Sequence, residues 1–292
     1  MGRFFCRWRF VYLLGLLGGL TAHAESPVWA IRGAHNTVFL AGSVHLLKAD
    51  NAKLPPGFDK AYAASDALVM EIDLDDLNPL ESQAWMLEHG MFGDEGSTLS
   101  KTIGVKKFAQ VELEGNRLGL PVEALEQLKP WLVAMTLAQL QYMKLGFDPE
   151  QGVEKQIQGK AAVDHKEITG LETLEEQLGL LDGMSFPDQT RFLDLTLEEM
   201  HEMEGETDTL LAAWRTGNAP KLASLLSEEY NVAPALYRML VADRNRRWMP
   251  KLEALLKGDK NYLVVVGALH LVGNGGLLQL MKADGFDARQ LQ

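Results

Sequence analysis

The chain has 292 residues, 47% hydrophobic and 23% charged, with a formal net charge of -12. That is enough apolar material for a sizeable core in one large domain or two small ones. The acidic balance argues against nucleic acid as a partner, because phosphate binding needs basic patches, and is compatible with cations or basic peptides.

The N-terminus reads as a separate segment. Arg3, Arg7 and Arg9 precede an apolar run from Phe10 to Leu20, followed by Ala22-His23-Ala24. Basic, apolar and small-x-small regions in this order predict a signal peptide over 1–24, cleaved after Ala24, and a periplasmic or secreted protein. The apolar run is shorter than the roughly 20 residues a membrane span needs, so no stable anchor is expected after cleavage. Removing three arginines takes the net charge from -12 to about -15. The only cysteine is Cys6. Residues 25–292 therefore offer no disulfide, thiol nucleophile or thiolate metal site.

Val28–Arg32 and Thr37–Ala41 read as two strands joined by the turn Gly33-Ala34-His35-Asn36, with His35 a solvated turn residue. The second strand runs on through Gly42-Ser43-Val44-His45-Leu46. A short apolar run bounded by turn signals predicts a strand buried on both faces. His45 stands where that strand ends, and alternation puts it on the face of Ser43. After Leu54-Pro55-Pro56-Gly57, a short helix is expected over Phe58–Ser65.

Ala67-Leu68-Val69-Met70-Glu71-Ile72-Asp73 is a further buried-strand pattern, interrupted by an acid. Either the strand stops at Met70 and Glu71 is solvated, or Glu71 is buried with a partner, since an unpaired buried charge is costly. Asp73, Asp75, Asp76 and Asn78 lack the Gly and closing Glu of a calcium loop.

From Pro79 to about Gly146 the pattern is helical, with Pro121 and Pro130 marking helix starts. Another helix is expected over Glu150–Ala162, and a short strand over Lys166–Gly170. Thr173 and Glu176 form a capping-box pattern, which leaves Glu172 at a strand-to-helix junction, a second place where an acid can enter a cleft. Asp188–Arg215 reads as one long helix; its His201-Glu202-Met203-Glu204 is not the His-Glu-x-x-His zinc signature. Helices follow over Ala219–Glu229 and Ala235–Lys257. The second carries the basic run Arg244-Asn245-Arg246-Arg247, either an exposed face offsetting nearby acids or a source of one inward Arg.

Near the end, Val264-Val265-Val266-Gly267-Ala268-Leu269-His270-Leu271 repeats the earlier pattern of apolar strand, Gly-x-x-His and Leu. Alternation would put His270 on the face of Ala268. Functional groups in open α/β sheets gather beyond the carboxyl ends of strands, so His45 and His270 can meet in one cleft. The Gly-rich turn Gly273-Asn274-Gly275-Gly276 is unlike a phosphate loop, and Phe286–Gln290 is expected as an edge strand. The fold class is therefore α/β (α+β): a mixed central sheet built from the N- and C-terminal segments, with a large helical insertion over about 79–257.

Taken together, several motifs resemble the TraB/GumN family, to which the Tiki proteases are related. They are Gly42-Ser43-Val44-His45, Val69-Met70-Glu71-Ile72-Asp73, Gly170-Leu171-Glu172-Thr173 with Gln177, Arg244-Asn245 with Trp248, and Gly267-Ala268-Leu269-His270. The resemblance covers residues 25–292 almost throughout. It implies a fold similar to the erythromycin-esterase/ChaN-like superfamily and a metal-dependent peptidase or related hydrolase acting on a peptide or protein. The divalent metal (manganese, cobalt or zinc) would be held by His45, Glu71 and His270. Arg244 and Asn245 match a recurrent pair expected to contact substrate or an intermediate, and Glu172 would serve as general base or orient a His ring. Two rival readings are a metal-independent hydrolase with a His base and a protein that sequesters peptides. The chain shows no C-terminal membrane anchor of the Tiki kind, so Tiki substrates are not transferred to it.

Overall fold

The computed structural model describes residues 25–94, 96–200 and 203–292. The leader read over 1–24 lies outside these residues, as do His201 and Glu202. Eight strands are described: β1 (Val28–Arg32), β2 (Thr37–Ser43), β3 (Leu47–Lys48), β4 (Ala67–Ile72), β5 (Phe147–Asp148), β6 (Ile168–Glu172), β7 (Tyr262–Gly267) and β8 (Ala288–Gln290). Six of them form one sheet in the order β6-β4-β7-β2-β1-β8, while β3 and β5 pair separately. The four strands from β6 to β2 are parallel, and β1 and β8 continue the sheet antiparallel. The fold is mixed α/β, with a sheet drawn from both ends of the chain and, for β6, from its middle.

The parallel strands are apolar nearly throughout because helices cover both faces. Leu40, Leu68, Val264 and Val265 are fully buried among Phe58, Trp214 and Trp248. The hairpin turn is held from below. Asn36 is buried, and its Nδ2 donates to Leu255 O at 2.8 Å and Lys260 O at 2.6 Å. His35 is exposed, as a turn residue should be.

The stretch 79–257 is largely helical and packs a second core around Leu99, Val111, Leu137 and Leu193. It also supplies β6 to the main sheet, so the helical layers enter the fold in two portions. Helices begin at Pro79 and Pro130, whose missing N–H costs nothing in a first turn. The Thr173–Glu176 capping box forms in full.

Two local expectations change. The stretch read as one helix over Asp188–Arg215 is described as two, Phe186–Glu199 and Met203–Arg215. His270 does not lie on an extended segment beside Ala268. The chain leaves β7 at Gly267 and coils into a helical turn, Ala268–Leu271. A one-turn helix has a period of 3.6 rather than 2, so His270 swings in over the ends of β4 and β7.

The carboxyl ends of β2, β4, β6 and β7 share one edge of the sheet, because the four strands are parallel. His45, Glu71, Glu172 and His270 all belong to that edge.

Candidate functional site

The floor of the site is built from two strand-end acids and one helix. Glu71 sits in β4 and is buried, so the strand does not stop at Met70. Ile72 pairs with Glu172 across β4 and β6, so Glu71 and Glu172 stand at the same end of neighbouring strands, where both carboxylates reach one guanidinium. Like charges this close need a shared counter-charge. Arg244, on the helix Asp243–Leu256, supplies it: Nη2 bonds both Glu71 Oε2 and Glu172 Oε1, and Nε lies 3.0 Å from Glu172 Oε1. Gln177 Nε2 also bridges the acids, at 3.0 Å from Glu71 Oε2 and 3.1 Å from Glu172 Oε1. The Gly267 N–H donates to Glu71 Oε1 at 2.7 Å, and the Trp248 indole N–H to Glu172 Oε2 at 3.2 Å.

Arg244 is the inward arginine of the basic run, and it is fully committed. Its Nη1 donates to Leu240 O at 3.0 Å and to His270 Nε2 at 3.1 Å. A guanidinium nitrogen carries no lone pair to accept with, so His270 Nε2 is the acceptor and its proton sits on Nδ1. That Nδ1–H donates to Asn245 Oδ1 at 2.7 Å, while Asn245 Nδ2 holds His270 O at 3.0 Å and Gly275 O at 2.8 Å. The Trp248 ring lies 4.6 Å from the imidazole, centroid to centroid. Burial pushes the His270 pKa down to about 4, with Arg244 and His45 adding to the effect against the pull of Glu71. His270 is therefore neutral at pH 7, consistent with its hydrogen bonds. Burial acting alone would raise the Glu71 carboxyl. Interaction with His270, then with Arg244 and His45, and the Gly267 N–H hold it down at about 2 instead.

His45 is different. Its side chain is 70% exposed, in the loop just past β2. Its Nδ1 lies 2.9 Å from Glu154 Oε1, an oxygen that also accepts the Ser43 hydroxyl. The Glu154 charge and hydrogen bond raise the His45 pKa above its ordinary value, and Glu71 adds to this. Water around the open ring screens part of that attraction. His45 lies close enough for its charge to help lower the His270 pKa. The structure thus brings His45, Glu71, Glu172, Arg244 and His270 to one edge, with only His45 open to solvent.

Glu154 escapes the sequence reading, which expects only a helix over Glu150–Ala162 there. The available signal is its place in the first turn of the helix Val153–Asp164, directly after Gly152. A Cβ at Gly152 would lie 2.2 Å from His45 O, so only glycine lets the two segments touch.

The donor set does not fit the metal that the resemblance implies. Both Glu71 oxygens accept protein N–H groups, and the Nε2 lone pair of His270 faces a permanent cation. An ion held by His45, Glu71 and His270 would have to displace Arg244. Among the described residues no group of three or more His, Cys, Asp or Glu side chains is placed to hold an ion.

The floor can be tested through stability. Arg244→Met leaves two buried carboxylates without their cation and should cost about 3–5 kcal/mol, measured by urea unfolding at pH 7. A cost below about 1 kcal/mol would show that the pairing is not what holds the floor. Stability should also fall with acid in two steps. The His270 pKa is depressed, so the unfolded chain takes up its proton first and stability drops as pH falls from 6.5 to about 4. The Glu71 contribution is present above pH 4.5 and lost on the way down to about 2. A urea midpoint that stays flat from pH 6.5 to 4 would contradict a buried neutral His270.

Set against known proteins, the chain matches the TraB/PrgY/gumN family over residues 27–290. It is 29% identical over 244 residues to YbaP of Escherichia coli (strain K12), covering 83% of this chain and 87% of YbaP. YbaP of Shigella flexneri matches to the same extent. A protein of Treponema pallidum (strain Nichols) is 22% identical over 285 residues, covering 92% of this chain and 83% of its own. All three are described as uncharacterized. No solved structure matches the chain. With the family match spanning nearly all of residues 25–292, the chain belongs to the TraB/PrgY/gumN family.

Proposed function

We propose that this protein is a periplasmic or secreted hydrolase of peptide or related acyl bonds, with His45 as the base that activates water. The observation that carries the reading is one accessible imidazole, held by a carboxylate, at the carboxyl edge of a parallel sheet. With Nδ1 directed at Glu154, Nε2 is the nitrogen left for substrate or water. It would take a proton from water as the water oxygen attacks the carbonyl carbon, then return that proton to the leaving group. The charge formed on the ring faces the Glu154 and Glu71 carboxylates, which stabilise it. The floor of Glu71, Glu172, Arg244 and His270 is a fixed wall whose hydrogen-bonding groups are engaged within the protein. Export is supported by the basic, apolar and small-residue pattern of residues 3–24.

A peptide library incubated with wild type and His45→Ala, and read by mass spectrometry, tests the chemistry. Cleavage should disappear in the variant, survive exhaustive chelation, and rise with pH up to about 9, the raised pKa at which His45 loses its proton. Loss on chelation with recovery by manganese, cobalt or zinc would instead favour a metal held by His45, Glu71 and His270. A stoichiometric complex with peptides of unchanged mass would favour a sequestering protein. For export, the intact mass of protein recovered from the periplasm or medium should begin at Glu25; a cell-retained chain still carrying residues 1–24 would overturn that part.

A further inference from the structure

We infer that Glu154 is the positioning residue of His45, fixing which imidazole nitrogen faces the cleft; this rests on the reading of His45 as a base. Glu154 is only 16% exposed in its side chain, against 70% for His45, so the carboxylate is the anchored member of the pair. One oxygen, Oε1, receives both the Ser43 hydroxyl and His45 Nδ1–H. Ser43 is the last residue of β2, so the sheet itself fixes the carboxylate against which His45 is set.

The backbone repeats the link. Val153 N–H donates to Val44 O at 3.1 Å, and the Gly152 backbone presses on His45 O so closely that a Cβ would not fit. One turn further along the same helix face, Gln158 Nε2 donates to Asp75 Oδ1 at 2.7 Å, in the loop beyond the Glu71 strand. The helix is thereby tied both to the His45 loop and to the β4 end. Glu154 also lies in the first turn of the helix, where the positive end of the helix dipole favours a carboxylate. An exposed imidazole without such a partner would rotate and exchange tautomers. With Nδ1–H committed to Glu154, Nε2 alone is left for the reaction, the arrangement that orients reactive imidazoles generally.

The test uses the full chain with Glu154→Gln, Glu154→Asp and Ser43→Ala. In histidine-labelled wild type, at a pH above the raised His45 pKa of about 9, nitrogen NMR should show the neutral ring carrying its proton on Nδ1. In Glu154→Gln the proton should shift toward Nε2, with the His270 signals unchanged as a check on the fold. Against the best peptide found, Glu154→Gln should lower kcat about 100-fold with KM within about twofold, and Glu154→Asp should recover part of the loss. Ser43→Ala should have a smaller effect in the same direction. Unaltered His45 nitrogen shifts in Glu154→Gln, or an unaltered kcat, would overturn the proposal. If wild type cleaves no peptide, the hydrolase reading fails, while the nitrogen spectra still decide whether Glu154 positions His45.

Discussion

One guanidinium answering two buried carboxylates is the constraint on which this site depends. Glu71 and Glu172 arrive on neighbouring strands, and Arg244 comes from a helix more than seventy residues further along the chain. None of the three is tolerable in the interior alone, since an unpaired buried charge is expensive. Their association therefore acts as a register. β4 and β6 must align so that Ile72 meets Glu172, and the helix must rotate so that Arg244, Asn245 and Trp248 all face inward. Buried ion pairs add little net stability compared with apolar packing, so specification of the arrangement is their better-founded role here. The π-helical segment Arg238–Ala242, just before Arg244, belongs to this arrangement: Leu240 within it offers its carbonyl to Arg244 Nη1.

The twin Gly-x-x-His motifs end in opposite environments. His270 is enclosed, neutral and bonded on both nitrogens. His45 is open, raised in basicity and bonded on one. A common pattern in sequence therefore does not mean a common role. The difference lies in the path of the chain beyond each strand. After β7 the chain coils at once, and the imidazole is folded back under Trp248; after β2 it bends outward and meets a helix N-terminus.

Much of this is legible in the chain. An acid inside an apolar run is a strong sign of a paired buried charge, and that sign marks Glu71. The repeated Gly-x-x-His pattern marks both imidazoles, and the capping pattern at Thr173–Glu176 places Glu172 at its junction. Glu154 and the turn around His270 are not legible, for different reasons. Glu154 acts through a contact between segments more than a hundred residues apart, and nothing in the helical pattern of its own segment sets it apart from the other acids. The His270 turn breaks strand alternation in a stretch whose apolar residues suit either a strand or a helix, which periodicity over so few residues cannot separate. The two helices within Asp188–Arg215 read as one for want of any Pro or Gly between Asp188 and Met203 to signal a stop.

The position of β7 has a consequence for the order of assembly. β7 lies between β2 and β4 and pairs with both, so neither forms its place in the sheet until residues 262–267 exist. A chain made from its N-terminus can close the β1–β2 hairpin and the parallel β4–β6 pair early, but the two pairs are joined only once β7 is made. Contacts so distant in sequence form slowly, because loop closure must be met before they reward it. During synthesis the apolar edges of β2 and β4 therefore remain open. A chain in that state has no finished sheet to resist being threaded or held by another factor, and its sheet is completed late, by its final strands.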